Sequence, residues 1–308
     1  MPLPDLRIGI SGWRYAPWRG DFYPEKLPQK QELAFASRAV NSIEINGSFY
    51  ALQTPQRYAQ WAADAPEDFR FSVKAPRYIT HVKRLHEVAT PMANFFASGP
   101  LHLGAKLGPF LWQLPPSLSF DAQRIAAFLE RLPHDSEQAR HCARDCDSEL
   151  RVSGYLDVER GQPLRHAIEV RHPSFCQPAF VKLLRKHKVA LVFADSAGKW
   201  PYAEDLTSDF VYLRLHGNAR LYESGYDEQA LKHWQARIAT WSQGEQVADA
   251  QLIDEAHRGR PRAARDVYCY FDNDLKVRAP YDAYRLLQQF DLAAALPNVP
   301  GRSPGVSS

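Results

Sequence analysis

Short apolar runs alternate with amphipathic stretches along the whole chain. The runs are RIGISGW (7–13), SIEIN (42–46), RFSVKAP (70–76), GPFLWQLP (108–115), HAIEVRH (166–172), ALVFADS (190–196), FVYLRLHG (210–217) and DVYCYFDND (266–274). Each is short and rich in β-branched or aromatic residues, which predicts a strand. Between them, apolar residues recur at spacings of three and four, predicting helices near 28–40, 54–64, 90–98, 121–132, 178–188, 227–243 and 281–290. Ile125, Phe128, Leu129 and Leu132 make one such face, and Leu231, Trp234, Ile238 and Trp241 another. Asp121 and Asp227 stand where an N-cap or a first-turn acid is favourable. Between the sixth and seventh runs, GKWPYAEDLTSD leaves room for no more than a turn of helix. A strand and helix cycle of this length predicts an α/β fold, a (β/α)8 TIM barrel in a single domain over residues 1–295. A doubly wound open sheet is the alternative. Two segments stand outside the cycle: a charge-rich excursion at 133–163, with one short helix and a loop, and a Pro, Gly and Ser tail at 296–308, expected to be flexible.

Several strands carry charges between their apolar positions. In a closed barrel alternate side chains point inward and outward. Ile43 and Ile45 then face the helices while Glu44 and Asn46 face inward. The same parity turns Ser72 and Lys74, Glu169 and Arg171, and Arg214 and His216 inward. Isolated buried charges are costly, so these must share one polar cavity. In barrel enzymes that cavity lies at the C-terminal ends of the strands.

The stretches IGISGWRY, PWRGDFYP, SIEINGSFY, FSVKAPRYITH, LGPFLWQLPPS, AIEVRHPSF, VYLRLHG and YFDND resemble those of the YecE-like family, TIM-barrel proteins grouped as a domain of unknown function, DUF72. The resemblance runs from about Arg7 to about Phe290 and implies a barrel with a polar mouth but no particular reaction. The family's last motif resembles FNND, whereas here it reads FDNDLKVRAP, so Asp272 brings an extra negative charge.

Within the predicted mouth, Glu44 and Glu169 stand on the second and fifth strands. Barrel dimensions put two inward glutamates so placed about 6–9 Å apart, which suits an acid and a base on opposite sides of a substrate. His216, followed by Gly217, is the leading proton carrier by residue type. Lys74, Arg171 and Arg214 gather cations at one rim and point to an anionic substrate group. Gln113, Asp195, Asn46 and Asn273 are candidate substrate-binding groups, with Asn273 taken as inward in preference to Asp272. Trp13, Tyr15, Trp18, Phe49 and Tyr50 cluster after the first two strands, and Trp13 and Tyr50 are taken as stacking surfaces for a sugar or base. His81 and His172 read as capping or packing residues.

These residues support general acid/base chemistry, hydrolysis or elimination, on a small anionic, sugar-like or phosphorylated substrate, without a cofactor. One alternative gathers Glu44, Glu169, Asp195 and His216 around Mn, Zn or Mg. Another is a non-catalytic nucleic-acid binder that uses the first-strand aromatics and KAPRYITHVKR.

Composition narrows the field further. The 308 residues are 45% aliphatic or aromatic and 24% charged, the balance of a folded globule. A net charge of +3 and a pI near 8.6 are too mild for a dedicated nucleic-acid binder. No apolar run suits a bilayer, and MPLPDLRIGI lacks the pattern of a secretory leader. Cys142, Cys146, Cys176 and Cys269 are irregularly spaced, as expected of reduced cytoplasmic thiols, and His141 with Cys142 and Cys146 lacks a second ligand pair. G-x-G-x-x-G, Walker, H-E-x-x-H and G-x-S-x-G motifs do not occur. No feature of the pattern sets an oligomeric state.

Overall fold

The computed structural model describes residues 4–147, 150, 160–217, 221–222, 224–274 and 276–301. All eight apolar runs form strands: β1 (Leu6–Ser11), β2 (Ser42–Ile45), β3 (Arg70–Lys74), β4 (Leu107–Gln113), β5 (His166–Glu169), β6 (Ala190–Asp195), β7 (Phe210–Leu215) and β8 (Asp266–Phe271). They pair in parallel in chain order, and β8 closes onto β1. The open-sheet alternative is thereby replaced by a closed barrel.

The α-helices among the described residues are α1 (Glu32–Ala36), α2 (Gly47–Tyr50), α3 (Pro55–Asp64), α4 (Ala89–Ala97), α5 (Ala122–Leu129), α6 (Ser136–Ala143), α7 (Pro178–Lys186), α8 (Glu228–Ser242) and α9 (Arg278–Gln289). Asp121 and Asp227 cap α5 and α8, accepting from the backbone N–H groups of Arg124 at 3.0 Å and Ala230 at 2.8 Å. Leu231, Trp234, Ile238 and Trp241 form the buried face of α8. No helix separates β6 from β7, as the short connection requires. Helix α1 is shorter than its apolar pattern suggested, because a 3-10 turn at Gln29–Gln31 replaces its start.

Side-chain parity divides the core into two. Outward residues such as Ile8, Ile43, Val73, Ile168 and Leu213 join the larger layer between strands and helices. Inward residues, among them Leu111, Ala167, Val192, Tyr212 and Tyr270, fill the lower half of the barrel. The Tyr270 hydroxyl lies 2.7 Å from both Ser42 Oγ and Ser72 Oγ, so its burial leaves no polar atom unpaired there.

The excursion includes helix α6, and its ends meet again where Leu164 N donates to His134 O at 2.9 Å. Residues 148–149 and 151–159 of that segment lie outside the described residues. Of the tail beginning at 296, residues 296–301 are described. Asn298 is buried, its Nδ2 donates to Phe35 O at 3.1 Å, and Gly301 N donates to Phe22 O at 3.0 Å. These bonds satisfy backbone carbonyls near α1; residues 302–308 lie outside the described part. Among the described residues no helix is long and apolar enough to cross a membrane. Among the described residues, which include all four cysteines, no disulfide is formed.

Candidate functional site

Loops and strand ends after seven of the eight strands, all but β6, surround a cavity of about 930 Å³ at the C-terminal mouth. Its floor is built on Arg214, which β7 directs inward and which is fully buried. Nε and Nη2 of Arg214 donate to the two Glu44 carboxylate oxygens at 3.1 and 2.9 Å. Nη1 donates to Glu169 at 2.7 Å, and Nη2 also reaches Asp272 and Ser11 Oγ at 2.9 and 3.1 Å. Glu44 further accepts from Ser11 at 2.5 Å and Tyr212 at 2.7 Å. Glu169 accepts from Arg171 Nε at 2.6 Å. His216 Nδ1 stands 2.9 Å from Asp272, and its Nε2 lies 3.9 Å from Glu169.

This network sets the charge of the floor. Burial alone would raise the Glu169 and Asp272 carboxyls, but Arg171 and Arg214 hold Glu169, and Arg214 and His216 hold Asp272, well below the usual carboxylate range. Burial likewise opposes the Arg214 charge, and Asp272, Glu44 and Glu169 outweigh it. Arg214, shared by three carboxylates, and Arg171, paired with Glu169, thus offset a buried cluster that would otherwise be prohibitively costly.

The anticipated arrangement of Glu44 and Glu169 across a substrate does not form. The Arg214 guanidinium occupies the gap between them and bonds to both. Glu44, Glu169 and His216 are fully buried beneath the cavity rather than lining it. Lys74, Arg171, Gln113, Asn46, Trp13 and Tyr50 do line it.

Two expected members face elsewhere. Asp195 follows the outward parity of Leu191 and Phe193, and its carboxylate accepts from Tyr226 Oη at 2.8 Å. Burial raises its carboxyl against the effect of that hydrogen bond. The four donors considered for a divalent cation are therefore not brought together. Asn273 also turns outward, donating through Nδ2 to Asp282 and to Ser224 O, each at 2.9 Å. Asp272 takes the inward position instead. Alternation from Tyr268 through Tyr270 contained that signal, and it extends to Asp274, a lining residue that the sequence reading passed over.

Asp274 changes the chemistry available. Burial, with nearby Asp272, pushes its carboxyl up to about 6. Lys74 lies over the Phe49 ring, with Nζ 4.4 Å from the centroid, and burial together with Arg214 draws its ammonium down to about 8. His81, beside the same Phe49 ring at 5.1 Å, is drawn down to about 4 by burial, Lys74 and Arg171. Arg14, Arg57 and Arg77 also line the cavity, and no short-range pattern identifies these loop residues in advance. Trp200 was likewise missed: it packs under Arg171, whose guanidinium carbon is 3.6 Å from the ring centroid, and orients that side chain.

A larger cleft, of about 1400 Å³, lies at the opposite end of β6 and β7. Its acids Asp209 and Asp254 are paired with Arg165 and Arg185, at 3.4 and 2.7 Å.

The molecule is thus a (β/α)8 barrel with a polar C-terminal mouth over an arginine-centred carboxylate floor. It belongs to the DUF72 family of proteins of unknown function, whose model matches residues 7–304. UPF0759 protein YunF of Bacillus subtilis is 28% identical over 129 residues, 39% of this chain and 44% of that protein. UPF0759 protein YecE of Escherichia coli K12 is 25% identical over 173 residues, 55% of this chain and 50% of that protein. The chain thus spans about half the length of these curated relatives. A DUF72 protein of Thermotoga maritima shares the fold with a TM-score of 0.69 and 24% identity, covering 93% of this chain and 99% of that one. A DUF72 protein of Enterococcus faecalis gives a TM-score of 0.63 at 19% identity, covering 94% and 98%.

Proposed function

We propose that the chain is an enzyme performing general acid/base chemistry, an elimination or a hydrolysis, on a small anionic, sugar-like or phosphorylated substrate in the barrel mouth. The observation that carries this reading is one cavity lined by five cations, Arg14, Arg57, Lys74, Arg77 and Arg171, together with an acid titrating near neutrality, Asp274. The arginine forks suit carboxylate or phosphate, while Trp13 and Tyr50 supply faces for a sugar ring. Asp274 is the group best matched to proton exchange at neutral pH. Glu169 and His216 work from below, orienting Arg171 and Asp272 under the substrate, and Glu44 anchors the Arg214 that also holds Asp272.

The test is binding of inorganic phosphate and glucose 6-phosphate by calorimetry, followed by a turnover screen on phosphorylated and carboxylated sugars. Saturable binding should weaken at least ten-fold when Arg57 and Arg77 are both replaced by alanine. Any turnover found should fall by about 10²-fold or more in Asp274→Asn with the fold intact. No anion binding, or full activity in the Asp274 variant, would defeat the reading.

A second reading, nucleic-acid binding at the same rim, draws on Tyr50 and Tyr78, which are 74% and 52% exposed, together with Arg77. It requires oligonucleotide affinity that falls steeply with salt.

A further inference from the structure

Lys74 differs from every other cation in the mouth. The remaining cations lining the cavity are arginines, which do not deprotonate in proteins. Their charge already serves an anion, so a lysine adds no recognition that a further arginine would lack. What it adds is an amine able to give up its proton.

Its surroundings favour that state. Lys74 ends β3, faces inward, and is 8% exposed, so its stem is fixed while the side chain lines the cavity. The nearby carboxylates are committed elsewhere: Glu44 to Arg214, Ser11 and Tyr212; Glu169 to Arg214 and Arg171; Asp272 to Arg214 and His216. Among the described residues no carboxylate lies within 4.0 Å of Nζ, and the Phe49 ring lies beneath it. Burial and the Arg214 charge favour the free amine and outweigh Glu44, Asp272 and Glu169, which favour the ammonium. Two groups suited to moving protons, Asp274 and His81, line the same cavity.

We infer that Lys74 is a covalent catalyst, forming an imine with the carbonyl carbon of a small anionic aldehyde or ketone held by the mouth arginines. This deepens the acid/base reading and rests on it for the anion-binding cavity. The free amine of Lys74 attacks the carbonyl carbon, and the C=O π pair moves to oxygen, which takes up a proton. The carbinolamine then expels that oxygen as water. The ammonium and the carbonyl together yield a protonated imine and water, so atoms and charge balance and no redox partner is required. A cavity base then takes a proton from the carbon next to the imine carbon, the C–H pair forming the enamine C=C. The enamine expels a hydroxyl or phosphate from the following carbon as water or phosphate, and water hydrolyses the resulting imine to free the Lys74 amine.

The experiment treats the full chain with pyruvate, and separately with glyceraldehyde 3-phosphate, in the presence of cyanoborohydride, which reduces an imine to a stable secondary amine. Peptide mass spectrometry then reads the rate of adduct formation at each lysine. Lys74 should be labelled at least ten-fold faster than any exposed lysine by one of the two probes. Lys74→Arg, its fold checked by circular dichroism, should lose the fast adduct. In parallel, trinitrobenzenesulfonate, an anionic amine reagent needing no carbonyl, tests whether the amine is reachable, with inorganic phosphate added as a protecting ligand. Fast trinitrophenylation that phosphate suppresses, without a carbonyl adduct, overturns the imine and leaves the anion-binding mouth standing. Slow reaction of Lys74 with all three reagents overturns the imine, and if phosphate also fails to bind in calorimetry the underlying reading falls with it. Labelling spread evenly over surface lysines likewise refutes the assignment.

Discussion

Arg214 is the residue on which the site depends. Replacing it with methionine leaves Glu44, Glu169 and Asp272 buried with no shared counter-charge, and we expect a loss of about 3–5 kcal/mol in urea unfolding at pH 7. The pH dependence follows from the depressed carboxyls. Glu169 and Asp272 titrate far lower folded than unfolded, so their stabilisation is complete above about pH 4, the unfolded range, and is lost as pH falls from there toward their folded values. Wild-type stability should therefore drop steeply below about pH 4, and Arg214→Met should show a much flatter acid limb; parallel profiles would contradict the assigned pairing. At this scale the sequence was partly legible. Period-two alternation correctly turned Glu44, Glu169, Arg214 and His216 inward. It does not say which inward charge bonds which, and that pairing moved Glu44 and Glu169 from opposite sides of a substrate to opposite sides of a guanidinium. For Asp272 and Asn273 the alternation along β8 points Asp272 inward, and Asn273, expected inward, faces out to Asp282. Arg14, Arg57 and Arg77 lie on loops, where no periodicity governs side-chain direction.

The elements themselves were the most legible part, because each strand and helix declares its buried face through its repeat. Helix α8 and strand β7 match their apolar patterns closely. Less visible were the short elements after the strands, such as α2 and the single π turn at Tyr78–Val82, which are too brief to show a period. Yet these carry Phe49 and His81 to Lys74's wall of the cavity. One element contact is unusually close. Gly9 in β1 pairs with Ser42 in β2, and a Cβ on Gly9 would lie 1.7 Å from Ser42 O. Gly9→Ala must therefore separate the first two strands, which position Ser11 and Glu44 beneath the mouth. We expect destabilisation of about 2 kcal/mol or more by thermal or urea unfolding. An unchanged midpoint would show that the strands are less tightly apposed.

Across the whole molecule, charge is arranged by depth. Carboxylates gather under the floor with Arg214 and Arg171, while the rim above presents Arg14, Arg57 and Arg77 to solvent. Such a rim repels itself when empty, and the repulsion grows as ionic strength falls. Adding phosphate or citrate should raise the unfolding temperature by several degrees at low salt and by less at 0.5 M sodium chloride, as scanning calorimetry would read. A shift independent of salt would argue that the anions act elsewhere. Barrel closure was readable from the eight-fold cycle, but this layering by depth was not, since it depends on which strand ends meet across the mouth. If an anion fills the mouth as proposed, the layering links survival to supply: copies with an empty mouth should open more often and be cleared first by proteases, so the amount of this protein should track the concentration of that anion even where synthesis is constant.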